Sequence, residues 1–210
     1  MKRNWLADQK PLASYLTRLV KVYSESPMML VIFPEGTLVS RETRPFSERY
    51  AKKMEIDDLK NVLLPRSTGL RFCLDKLQSG VEYVYDFTIG YEGIPPPPED
   101  AYGQDFFTLR SVYFLGQSPV RVHLHLRRFA LRDMPLKEED GPAFDKWLRD
   151  RWTEKDQLLD AFYKDQQFAV GKDGKRQYIR TNTRHLYECL HLVGWGVPWL
   201  AAYVIYRLCR

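Results

Sequence analysis

Residues 28–33, Met-Met-Leu-Val-Ile-Phe, form an unbroken apolar run with Ser24-Glu25-Ser26-Pro27 before it and Pro34-Glu35-Gly36-Thr37 after it. A short apolar run bounded by turn residues on both sides is the pattern of a fully buried strand. Pro34 has no N–H for a ladder, so pairing is expected to stop at Phe33 and the polar tripeptide to emerge at the strand's carboxyl end. In open α/β sheets that edge is where ligands bind. Gly36 lets a ligand approach the backbone, Thr37 supplies a hydroxyl and the turn supplies N–H donors. Glu35 alone would repel a phosphate. It is expected to pair with an arginine such as Arg3, Arg41 or Arg66, or to accept from a substrate hydroxyl. An ordinary strand-to-loop turn has the same composition, so these residues alone leave both readings open.

The surrounding pattern alternates helices and strands. Leu12, Tyr15, Leu16, Leu19 and Val20 share one helical face behind Asp8, a candidate cap, and Ser47 can cap a short helix reaching Met54. Residues 61–69 repeat the first pattern in miniature, with a brief apolar strand, Pro65, then Arg66, Ser67 and Thr68, and read as a second ligand-facing loop. Leu70, Cys73, Leu74 and Leu77 give the next helix its apolar face, and residues 81–89 are rich in β-branched and aromatic residues, as strands are. After the break at Pro95-Pro96-Pro97-Pro98, residues 112–115 read as a strand and residues 120–129 as a second, alternating one. In the latter Val120, Val122, Leu124 and Leu126 face one way, and Arg121, His123, His125 and Arg127 the other, which reads as a solvated face. The two histidines share a face, but no third metal ligand is evident. Phe144, Trp147, Leu148, Trp152, Leu158, Leu159 and Phe162 then punctuate a charged helix suited to a core edge or a membrane surface. The order predicts an α/β fold with a partly parallel sheet flanked by helices.

The chain has 210 residues, enough for one sizeable core. A net charge of +5 and a pI near 9.0 favour anionic partners, but acidic residues interleave with the basic ones, which argues against a nucleic-acid interface. A phosphorylated small molecule or an anionic membrane face fits better. Cys73, Cys189 and Cys209 are odd in number and widely spaced, as reduced thiols in a cytosol-facing protein are. Residues 1–5 lack the apolar core of a signal peptide. Residues 189–206 carry no formal charge apart from titratable His191, close to the ~20 residues of a membrane-spanning helix. Trp195, Trp199, Tyr203 and Tyr206 suit a headgroup interface, whereas Gly194, Gly196 and Pro198 keep a re-entrant or interfacial segment in play. A carboxyl-terminal apolar helix is therefore expected, on a membrane or packed on the core.

Phe33-Pro34-Glu35-Gly36-Thr37 resembles the third block of the glycerolipid acyltransferases, the 1-acylglycerol-3-phosphate and lysophospholipid acyltransferases. Lys2-Arg3-Asn4-Trp5 resembles the end of the second block and Val62-Leu63-Leu64-Pro65-Arg66 the fourth. The Tyr85-Asp86-Phe87-Thr88-Ile89-Gly90-Tyr91 stretch, the His123 strand and Trp152-Thr153-Glu154-Lys155-Asp156 resemble the carboxyl-terminal region of the eukaryotic branch. The resemblance implies acyl transfer from acyl-CoA to a lysophospholipid, lysophosphatidic-acid-like acceptor, at a membrane, that of the endoplasmic reticulum, with no other cofactor. It implies that Arg3, Glu35, Gly36 and Thr37 hold the glycerophosphate and that Pro65 shapes a substrate channel, with Arg66 beside it. Many members have an arginine after Glu-Gly-Thr where Leu38 stands, so Arg41 or Arg66 is expected to replace it.

The family's catalytic block is His-x-x-x-x-Asp, a general base and its orienting carboxylate. Five positions after His123, His125, His185 and His191 stand Arg128, Ala130, Leu190 and Gly196. No catalytic residue is therefore assigned, and the block is expected upstream of Met1, in an amino-terminally truncated chain. The expected layout is an acceptor-binding part over residues 1–130, a helical region and linker over 131–184, and a membrane segment over 185–210. A catalytically silent lipid-binding or scaffold protein is the alternative.

Overall fold

The computed structural model describes residues 5–23, 26–95, 102–171, 174–180, 203, 206 and 207. Arg3 and nearly all of the apolar carboxyl-terminal segment lie outside these residues. Among the described residues no helix is long and apolar enough to cross a membrane.

Six α-helices and two strands are described: α1 (Trp5–Val22), α2 (Arg44–Met54), α3 (Ser67–Leu77), β1 (Tyr83–Tyr91), α4 (Gly103–Phe106), α5 (Leu109–Phe114), β2 (Val122–Ala130) and α6 (Gly141–Asp165). The chain divides into a unit over Met1–Ala169 and a second over Val170–Arg210. In the second unit the described Tyr178 and Ile179 are exposed, and the Arg207 guanidinium donates to the Tyr203 hydroxyl at 3.2 Å.

The first unit is built around α6. Phe144, Leu148, Trp152, Leu159 and Phe162 recur at steps of three, four and seven and pack with Val62, Leu74, Leu131, Met134 and Phe168 in one apolar cluster. Burying a stripe of this length is what holds the unit together, since each such side chain contributes about 1.5–3 kcal/mol when removed from water. Between core edge and membrane surface, the structure thus assigns α6 to the core. Its last turn closes on Gln166, in the left-handed region at φ 53°, whose N–H bonds the Phe162 carbonyl. α1 rests on α3, with Trp5 edge-on to Phe72 at 5.3 Å between ring centres and Leu16 buried.

β1 and β2 pair antiparallel, from Tyr83 opposite Ala130 to Tyr91 opposite Val122. The fold is thus mixed α and β, but the described sheet is this antiparallel pair and not the partly parallel sheet expected. Residues 28–33 are extended without being a strand, with Met29 83% and Phe33 78% exposed. An apolar run becomes a buried strand only where a neighbour completes its hydrogen bonds, and both described strands pair with each other. Residues 61–64 are buried as expected but also outside the sheet. The strand expected at 112–115 is largely the helix α5, because Thr108 caps it by accepting from the Ser111 N–H. Ser47 lies inside α2, which begins at Arg44 and carries proline at its start.

The sheet presents the opposite face from the one its polarity suggests. Leu124 is 60% exposed, and Tyr85, Phe87, Ile89, Val122 and Leu126 are exposed with it. His123, His125 and Arg127 are half-buried against α6, with the His123 ring 5.3 Å from Phe162 and the His125 ring 5.6 Å from Phe168. The cause is Lys155, which stands in the buried stripe of α6 and needs partners. Its ammonium donates to Asp86 Oδ1 at 2.5 Å, to the Phe87 carbonyl at 2.7 Å and to the Thr88 hydroxyl at 3.0 Å. Arg127 adds bonds to Asp86 Oδ2 and to Glu154. A buried charge requires such a cage, so the polar rows of both strands turn toward the helix.

Candidate functional site

The 33–37 turn is built by its own backbone. The Gly36 N–H bonds the Phe33 carbonyl at 3.0 Å, and Gly36 then takes φ +75°, a region costly for residues with a Cβ. The Pro34 carbonyl accepts from the Arg66 N–H at 2.9 Å, which brings the first expected ligand loop against the second.

Glu35 provides a second cross-link. Its Oε1 accepts from the Trp152 indole N–H at 3.0 Å and its Oε2 from the Leu63 N–H at 3.3 Å. It therefore pairs with neither Arg41 nor Arg66, and its carboxylate is turned into the protein rather than toward a ligand. Burial pushes its pKa up, opposed by the Trp152 and Leu63 bonds and by the charges of Lys155 and Arg44.

The second loop is held from behind. Arg44 donates to the carbonyls of Leu59 at 2.6 Å, Lys60 at 2.5 Å and Val62 at 3.1 Å, and its guanidinium lies 3.5 Å from Asp58. Asp156 on α6 accepts the Asn61 N–H at 2.6 Å, and Ser47 accepts the Leu64 N–H at 3.2 Å. With these donors and acceptors paired, residues 59–64 need no strand partner to be buried.

The consequence is a sorted edge. Pro65 is buried, as a wall residue would be, while Gly36, Thr37 and Arg66 are exposed. The Arg66 guanidinium makes no ion pair among the described residues. Arg66 also precedes the first turn of α3, which carries Ser67 and Thr68 and is not capped by the Arg66 side chain. An exposed guanidinium, a threonine hydroxyl, a glycine turn and the open N–H groups of a helix start together suit an anionic oxygen group. Of the six residues expected to bind substrate, five are described, and the structure brings Glu35, Gly36, Thr37, Pro65 and Arg66 together. Within that group Glu35 is a brace. Arg41, proposed as a substitute phosphate contact, is exposed and joins none of these bonds.

Sequence reasoning missed Trp152, Arg44, Lys155 and Asp86 as determinants of this edge. Trp152 sits in an apolar stripe and reads as packing, and its partner Glu35 is 117 residues away. Behind it, burial raises the Asp86 pKa, but Lys155 and Arg127 outweigh this and hold it below the ordinary carboxylate range. Burial, then the charge of Arg127, pushes His125 down.

Residues 113–195 match the family model described as Acyltransferase C-terminus. The chain is 38% identical over 185 residues to the 2-acyl-1-lysophosphatidylinositol acyltransferase of Saccharomyces cerevisiae, covering 87% of this chain and 44% of that protein. It is 37% identical to lysophosphatidylinositol acyltransferase 10 of Caenorhabditis elegans, over 75% of this chain and 39% of that one. It is 32% identical to the probable 1-acyl-sn-glycerol-3-phosphate acyltransferase 5 of Arabidopsis thaliana, over 92% and 46%. The chain thus spans about half the length of the curated relatives it matches. No solved structure matches it significantly.

Proposed function

Because this chain belongs to the glycerolipid acyltransferase family, with eukaryotic relatives, we propose that its 33–37 and 63–68 loops form the acceptor site of a lysophospholipid acyltransferase. The reaction on this reading moves an acyl group from acyl-CoA to the free glycerol hydroxyl of the acceptor. The hydroxyl oxygen attacks the thioester carbonyl, the C–S bond breaks, and CoA leaves as the thiol with the proton the hydroxyl gives up. Thr37, Arg66 and the N–H groups at the start of α3 hold the acceptor phosphate, Gly36 admits it, and Pro65 walls the channel. Arg3 adds a further positive charge. Two of the relatives are named for lysophosphatidylinositol, which makes it the first acceptor to test, with lysophosphatidic acid second. The site works at the endoplasmic reticulum membrane, with residues 185–210 as its attachment.

The observation that carries this reading is the Pro34–Arg66 backbone bond, which joins the Gly-Thr turn to an exposed arginine that makes no ion pair among the described residues. No histidine of the chain has aspartate five positions on, which favours a second reading of these residues, lipid binding without transfer. One experiment separates the two. The full chain is titrated with short-chain lysophosphatidylinositol and assayed for release of CoA thiol from acyl-CoA. We expect binding, weakened roughly tenfold in Arg66→Ala by loss of a charge-assisted hydrogen bond, and no transfer. Binding indifferent to Arg66→Ala refutes the acceptor site, and thiol release above the uncatalysed rate refutes the silent form.

A further inference from the structure

We propose that Trp152 is a positioning residue: its indole N–H, acting through Glu35, sets where Gly36, Thr37 and Arg66 stand. The proposal rests on reading this edge as the acceptor site. Both oxygens of Glu35 are engaged on the protein side, Oε1 by Trp152 and Oε2 by the Leu63 N–H. The side chain is therefore a strut. One end is the backbone between Pro34 and Gly36, and the other is tied to α6 and to the second loop.

The anchor of that strut is rigid. Trp152 is only 8% exposed, and the Lys155 ammonium lies 5.1 Å from its ring centre. Lys155 is itself fixed by Asp86, Thr88 and the Phe87 carbonyl, so the indole is held by the helix and, through it, by the sheet. An indole suits the task because it has a single donor and no acceptor, and that one N–H is committed to Glu35 Oε1. Without the N–H, the Glu35 carboxylate loses a partner it needs while buried and gains by turning outward. Outward is the exposed edge of Gly36 and Thr37, where its charge opposes an acceptor phosphate. Movement there also reaches Arg66, through the Leu63 amide and the Pro34–Arg66 bond.

The test places 3-benzothienylalanine at position 152, keeping the bicyclic shape without the N–H, with Trp152→Phe alongside, in the full ¹⁵N-labelled chain. The loop amide resonances of Gly36, Thr37 and Arg66 are expected to move while those of β1 and β2 stay. Affinity for short-chain lysophosphatidylinositol should fall roughly tenfold, and the benzothienyl form should melt within a few degrees of the natural chain. Glu35→Gln should shift the Trp152 indole N–H resonance. Loop amides that do not move, or a benzothienyl form that binds as tightly as the natural chain, overturn the proposal. A natural chain that binds no lysophospholipid overturns the acceptor reading instead, and the amide shifts still decide whether Trp152 positions the loop.

Discussion

Replacing Lys155 with methionine tests the cage that orients the sheet. Lys155 is 5% exposed and gives its three protons to Asp86, Thr88 and a carbonyl. Methionine fills most of the same volume, so little of the loss is packing. What is lost is the counter-charge of Asp86 and the donor for two further oxygens. Removing one partner of a buried ion pair costs about 3–5 kcal/mol. Arg127 still bonds Asp86 Oδ2 at 2.6 Å, which places the expected loss near the lower end, about 3 kcal/mol. Against a total of about 5–15 kcal/mol for a domain, urea unfolding should resolve this easily. The pH dependence follows from Asp86, whose folded-state pKa lies below its ordinary value. Its pairing therefore stabilises the fold above the unfolded pKa and is lost as pH falls through the folded one. The gap between Lys155→Met and the natural chain should accordingly shrink as pH falls through that window. Adding Asp86→Asn should recover part of the loss, because the stranded charge goes with it. A loss below about 1 kcal/mol, or one that pH and Asp86→Asn leave unchanged, would refute the argument that the cage orients the sheet.

Three further substitutions probe other parts of the structure. Gly36→Ala meets no atom within 4 Å but must adopt φ +75°; the expected cost is about 1–2 kcal/mol, read as a lowered thermal midpoint, and an unchanged midpoint would show that the turn is not built this way. Gly90→Ala would set a methyl 2.6 Å from the Phe162 ring, whereas Leu124→Lys points a charge into solvent; the first should cost about 1–3 kcal/mol and the second under about 0.5 kcal/mol, and the reverse order in urea unfolding would mean that the apolar face is the one packed on α6.

Where local chemistry decides, the chain was readable. The α6 stripe, the helical face of α3 and the Gly36 turn follow from spacing and backbone preference and are seen, and the strands expected at 81–89 and 120–129 are seen two residues on at one or both ends, at 83–91 and 122–130. The family is legible for the same reason, since its blocks are short and ordered. Residues 28–33 show the limit. Their composition says strand, but a strand is defined by a neighbour, and composition carries no information about neighbours. Likewise, Val112, Tyr113 and Phe114 have strand-like side chains and become helical through the Thr108 cap.

The sequence by itself thus nominated the candidate site: Arg3, outside the described residues, and Glu35, Gly36, Thr37, Pro65 and Arg66 in two short motifs. Tertiary structure decided which of the described five face inward and which stand exposed. Glu35 reads as a ligand contact until Trp152, 117 residues on, claims its oxygen and makes it a brace. The histidine row reads as a wet face until Lys155 draws the polar side of the sheet inward. In both cases a charged group's role depends on which partner meets it when water is removed, and that partner is brought close only by the folding of the whole unit.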